Sequence, residues 1–189
     1  MTKTFRFATL TAAAALFAGA AFAESHAMAN PLVGGAEMFA DKNIVENAVN
    51  SADHTTLVAA VTAAGLVETL QGAGPFTVFA PTNEAFAKLP AGTVDTLLLP
   101  ENKDMLTKIL TCHVVDKAVM AEALQGMIKD DGGKHPVPTL GGCVLQATYE
   151  GDMIKLTDEM GNVATVTQAD VKQSNGVIHV IDTVMLPKM

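Results

Sequence analysis

The chain has 189 residues, 49% of them apolar, with 20 acids against 12 bases, two cysteines and no tryptophan. That length suits one domain of roughly 100 to 200 residues. Such a chain can bury about 70% of its unfolded surface, which excludes disordered, collagenous and disulfide-scaffold classes. A formal charge of −8 with a single arginine, Arg6, excludes nucleic acid as a partner, since phosphate neutralisation needs clustered cations and base reading favours Arg.

Lys3 and Arg6 precede an uncharged, alanine-rich run from Phe7 to Phe22, and Ala21-Phe22-Ala23 stands before Glu24. This pattern predicts a cleaved signal peptide over residues 1–23. An uncharged run of about 16 residues falls short of the roughly 20 needed to span a bilayer, so no stable membrane insertion is expected. No cysteine lies near the cut to take a lipid. Cleavage removes both Lys3 and Arg6 and leaves an acidic chain, periplasmic or extracellular. Residues 24–36, with Ser25, Asn30, Pro31, Gly34 and Gly35, read as a flexible segment. The packed domain is expected over residues 37–189.

Ile44, Val45, Ala48 and Val49 follow helical spacing. A second helix is announced by Asp53 or Thr55 as N-cap, carries Leu57, Val58, Val61 and Ala64 on one face, and stops at Gly65. Gly72, Gly74 and Pro75 break the chain before a short apolar strand, Phe76 to Ala80. Pro81 ends that strand, and Thr82 or Asn83 can cap a helix with Ala85, Phe86 and Leu89. The glycines precede the strand and no lysine follows at the helix start, so a nucleotide site is not expected. Two helical segments follow between Thr93 and Thr111, separated by Pro100. Cys112 to Val115 reads as a strand, Val119 to Leu124 as part of a helix, and Lys129 to Gly142 as a long loop.

The last third reads as β-structure, in four runs: Cys143 to Tyr149, Asp152 to Thr157, Val163 to Ala169 and Val177 to Leu186. The final run is apolar on both faces, the pattern of a central strand covered on each side. Early helices and late strands without strict alternation define an α+β fold.

Catalytic chemistry is not indicated. There is no GxSxG, no HExxH and no CxxC. In an oxidising compartment, Cys112 and Cys143 are expected to form a disulfide; free buried thiols, or a metal or redox site with His113 and His135, are the alternatives. His113 and His179 lie in apolar strands and read as hydrogen-bonded structural histidines. Asp182 reads as a buried carboxylate accepting bonds from Thr82, Asn83 or nearby amides. Met38, Met105, Met120 and Met127 read as core filler, the alternative being an adaptable apolar groove.

Three ordered segments carry a resemblance. Gly74-Pro75-Phe76-Thr77-Val78-Phe79-Ala80-Pro81-Thr82-Asn83-Glu84-Ala85-Phe86 resembles the first signature of fasciclin domains, and Asn175 to Asp182 the second. Leu110 to Val115 takes the place of the family's Tyr-His motif, with Cys112 in place of the tyrosine. The likeness covers about residues 33 to 187 and implies a wedge of about seven β-strands with helices packed around it. It also implies an extracellular module for adhesion without catalysis or cofactor. In animal relatives, integrin binding is assigned to the Tyr-His motif and to a short Asp-Ile segment. By that resemblance Asp104, Met105 and His113 are candidate binding residues, whereas Thr82, Asn83, His179 and Asp182 form a structural motif. The implied role is an exported noncatalytic binding module in cell adhesion or protein contact at the cell envelope, its partner a cell-surface or matrix protein or a glycan. The alternative is a periplasmic carrier of a small molecule or lipid, with a pocket lined by methionines and phenylalanines.

Overall fold

The computed structural model describes residues 30–188; the expected signal peptide and residues 24–29 lie outside them. The elements are, in chain order, β1 (Leu32–Val33), β2 (Ala36–Glu37), α1 (Ile44–Ala48), α2 (Thr55–Ala64), α3 (Val67–Leu70), β3 (Phe76–Pro81), α4 (Asn83–Ala87), α5 (Thr93–Leu97), α6 (Lys103–Thr111), β4 (Val114–Val115), α7 (Ala121–Asp130), β5 (Lys134–Pro138), β6 (Val144–Glu150), β7 (Met153–Thr157), β8 (Val163–Gln173) and β9 (Gly176–Ile181). One seven-stranded sheet runs β4-β3-β9-β8-β7-β6-β5, and β1-β2 is a separate hairpin. The fold is α+β, as expected.

β9 is an interior strand of that sheet, parallel to β3 and antiparallel to β8. Residues 177–181 are all buried. Alternate side chains feed two separate cores. Ile178 and Val180, with Val78 and Ala80 of β3, pack under α1, α2 and α6. Ile181, with Phe79, enters a second core closed by α7 and by β5 to β8. Full burial of each Val or Ile contributes roughly 1.5–3 kcal/mol, so this strand joins two cores and stabilises both.

β8 makes the two cores possible. It carries register shifts between Val166 and Gln168 and between Gln168 and Val171, and Asp170 within them has φ +59°. Extra residues bend a strand and change which face its side chains present. Ala164 and Val166 accordingly face the second core and Val171 the first. The sheet curls until its ends approach, and Leu140 N–H donates to the Val114 carbonyl at 2.8 Å.

Three expectations need correction. Lys129 to Gly142 is not a loop: α7 continues to Asp130 and β5 pairs with β6 from Lys134 to Pro138. β5 is an edge strand, where Pro136 and Pro138 stand exposed and their missing N–H groups disturb no ladder. Cys112 and His113 are not on a strand, because Cys112 ends α6 in helical conformation. Residues 32–37, expected to be flexible as far as residue 36, are paired in a hairpin with Gly34 and Gly35 at positive φ. Val33 is buried in the first core beside Met38, and Gln168 Nε2 donates to the Leu32 carbonyl at 3.1 Å.

Candidate functional site

The signature segments hold the fold together at long range. Thr82 Oγ1 accepts from Ala85 N–H at 3.2 Å and caps α4. Asn83 caps a different helix: its Oδ1 accepts from Thr56 N–H at 3.0 Å and its Nδ2 donates to the Ala52 carbonyl at 2.8 Å. α2 has no side-chain cap of its own, so neither Asp53 nor Thr55 plays the expected part. Asn175, at the start of the second signature segment, is buried. Its Oδ1 accepts from Ile44 N–H at 3.0 Å, and its Nδ2 donates to the carbonyls of Leu70 and Gly72, both at 2.8 Å. One side chain thus fastens the start of α1 and the end of α3. Gly74 and Gly176 lie beside it because a Cβ at either would collide with the Asn175 or Phe76 carbonyl oxygen.

Both motif histidines are interior and neutral, in opposite tautomers. A carbonyl only accepts and an amide only donates. His113 therefore carries its proton on Nδ1, bonded to the Ile109 carbonyl at 2.8 Å, and accepts at Nε2 from Met185 N–H at 3.0 Å. His179 donates from Nε2 to the Val119 carbonyl at 2.8 Å and accepts at Nδ1 from Asp170 N–H at 3.2 Å. Its ring stacks on Phe79. Burial lowers the His113 pKa to about 4, against the opposing pull of the Ile109 carbonyl and Asp158. Burial also lowers His54 and His179.

A pH dependence follows. An unfolded histidine titrates near 6.5, so between about pH 6.5 and 4 the unfolded chain binds the proton that folded His113 refuses. The contribution is fully present above about pH 6.5 and is lost as pH falls toward 4. At 1.36 kcal/mol per unit it amounts to roughly 3 kcal/mol for His113. Urea unfolding at pH 7 and pH 4.5 should register a loss of about this order, and equal stability at the two values would refute the assignment.

Asp182 is not the buried carboxylate expected from sequence. It follows β9, its side chain is 38% exposed, and it lies 3.6 Å from the Lys88 ammonium. Its Oδ1 accepts from Thr165 N–H at 2.8 Å. Among the described residues the buried acid is Asp158, which accepts from the amides of Met160, Asn162 and Leu186 and from the Asn162 side chain. It ties the β7–β8 turn to the segment after β9.

Cys112 and Cys143 form a disulfide, both buried, with Cα atoms 5.4 Å apart. Both sulfurs are thereby withdrawn from the alternative set with His113 and His135, and His135 instead pairs with Asp131 at 2.6 Å. Among the described residues no group of three or more His, Cys, Asp and Glu could hold a metal ion. Of the binding candidates, Asp104 and Met105 are exposed on the first turn of α6, whereas His113 is 2% exposed and out of a partner's reach. The methionines do not assemble a groove: Met38 and Met127 pack on different cores and Met105 faces solvent.

A cleft that the sequence did not announce lies between α1, α2, α3 and the β3–β4 end of the sheet. Its volume is about 300 Å³. Its floor, including Leu57, Val61, Leu70, Leu110 and His113, is buried. Its mouth is marked by the exposed residues Val49, Thr62 and Gln71. A closed, dry void of that size would cost roughly 7 kcal/mol at about 24 cal/mol per Å³, as much as many domains have in total. The fold instead leaves the space open on one side.

A curled α+β sheet whose signature polar residues serve as internal ties defines a module of the fasciclin type. The family profile for the Fasciclin domain matches residues 52–187, and the chain belongs to that family. It is 53% identical over 146 residues to Protein sll1483 of Synechocystis sp., covering 77% of this chain and 74% of that one. It is 37% identical over 131 residues to Transforming growth factor-beta-induced protein ig-h3 of Sus scrofa, covering 69% of this chain but only 17% of that longer relative. The fold matches a solved FAS1 domain pair from the insect cell adhesion molecule Fasciclin I, with TM-score 0.68 and 19% identity, over 77% of this chain and 51% of that one.

Proposed function

We propose that the protein is an exported, noncatalytic binding module that acts by protein contact in adhesion at the cell envelope. One observation supports this reading above others. The polar side chains of the signature segments, Asn83, His113, Asn175 and His179, are all engaged in internal hydrogen bonds, which leaves the outer surface to meet a partner. Family membership and the adhesion molecule among the solved neighbours point the same way. The basic start and alanine-rich run of residues 1–23 support export. No helix among the described residues is long and apolar enough to cross a membrane.

The contact surface proposed is Asp104 with Met105, an exposed acid beside an apolar side chain that is 41% exposed. The partner is a cell-surface or matrix protein; a glycan has no support among the relatives. Deleting the gene should reduce attachment of the source cells to their substratum, and the full chain should restore it. The double variant Asp104→Ala/Met105→Ala should restore attachment at least about tenfold less well, with unchanged circular dichroism and melting temperature. Unaltered attachment on deletion would overturn the function; full rescue by the double variant would overturn the site.

A further inference from the structure

We propose that the cleft beneath α1 and α3 is a binding site for the tail of a single-chain aliphatic amphiphile, with its polar head left in water beside Gln71. The inference is independent of the adhesion reading, because the cleft and the Asp104–Met105 turn share no residue.

Size sets the first limit. Protein interiors pack at the density of organic crystals, with few voids larger than a water molecule. At about 300 Å³ the cleft is roughly twice the cavity that holds benzene. It therefore accepts roughly ten to twelve non-hydrogen atoms, too few for a folded peptide element and enough for a medium-length alkyl chain.

Chemistry sets the second. The two polar side chains in or beside the cleft other than Gln71 are occupied. Both His113 nitrogens are bonded, and Thr62 Oγ1 donates to the Val58 carbonyl at 2.8 Å. No ionisable side chain other than His113 lines the space. A charged or hydrogen-bonding ligand would lose its water there without replacement. Branched aliphatic side chains form most of the wall, and its one phenyl ring, Phe79, is stacked on His179. The wall thus suits a flexible chain better than a flat ring system.

The mouth sets the third. Val49 is 54% exposed at the end of α1, an apolar side chain held in water where a tail would enter. The roof is light: α1 has five residues and α3 four, and helices this short have little stability of their own. Their tie through Asn175 leaves the Val49 end of α1 free of that bond. A tail can enter there without breaking the sheet.

The test uses the chain from residue 24 with methyl-labelled Val, Leu and Ile, titrated with decan-1-ol and followed by NMR. The expected result is saturable shifts at Val45, Val61, Leu66 and Leu110 with no change at Val137 or Leu145 in the second core. Ala48→Phe places a ring in the cleft and should weaken binding by about tenfold or more while keeping the wild-type spectrum elsewhere. If that variant fails to fold, Val49→Asp at the exposed mouth serves instead, with the same expected weakening. Absence of shifts up to the solubility limit overturns the proposal, as do equal affinities in the filled or charged variant. Binding of naphthalene in preference to decan-1-ol overturns the aliphatic assignment. The same shifts arising from protein concentration alone would mean that a second copy covers the cleft, and would also overturn it.

Discussion

Asn175→Ala will lower the unfolding free energy by about 3 to 4 kcal/mol, read as a reduced urea midpoint with an unchanged slope. The side chain is 7% exposed and bonds one amide and two carbonyls that lie 131, 105 and 103 residues away. Each such bond contributes about 1 kcal/mol net, and an orphaned buried N–H costs a further 1 to 3. The Ile44 amide sits at the start of α1, where no earlier carbonyl of the helix can take its place. Asn43 already serves the Glu46 amide through a capping box, so it cannot relieve the loss. Asn175→Asp will not rescue, because its second oxygen would face the Leu70 and Gly72 carbonyls. A loss below about 1 kcal/mol for the alanine variant would mean that water replaces the bridge.

Replacing Cys112 and Cys143 together by Ala will cost roughly 3 to 4 kcal/mol, as expected for release of a loop of this length in the unfolded chain. The sequence separation is 31 residues, and the loop contains α7 and β5. The bond joins the end of α6 to the start of β6, across the gap where the two sheet edges meet through Leu140 and Gly141. Gly141 lies so close that a Cβ there would stand 3.0 Å from the Cys112 sulfur. The melting temperature should fall by roughly 10 °C, at 2–4 °C per kcal/mol for a domain of this size. Calorimetry on the double variant checks the figure, and a fall below about 3 °C would show that the sheet closes as firmly without the bond.

Much of this architecture was legible because it rests on local patterns. From Val177 to Ile181 the run is apolar at every position but His179, which betrays a strand covered on both faces. Helical spacing located α1, α2 and α6, and the β-rich runs located β6 to β8. What escaped depends on distance or on edges. β5 was hidden by two prolines that only an edge strand tolerates. Asn175 looks like a turn residue until its partners arrive from the other end of the chain. Asp182, expected to be buried, is partly exposed, and the burial of Asp158 was not foreseen, since burial of a single acid follows from tertiary packing and leaves no periodic trace. Of the site, the signature segments were readable and the cleft was not: it is a space between helices whose side chains each read as ordinary core.

The strand between β3 and β8 is also the last of the described strands to leave the ribosome. Synthesis proceeds at roughly 5 to 20 residues per second, and until Gly176 to Ile181 emerge β3 has no parallel neighbour and neither core its central wall. Pairing so far apart along the chain is slow to form. A nascent polypeptide stopped short of that point presents two open apolar surfaces, a natural target for holding chaperones.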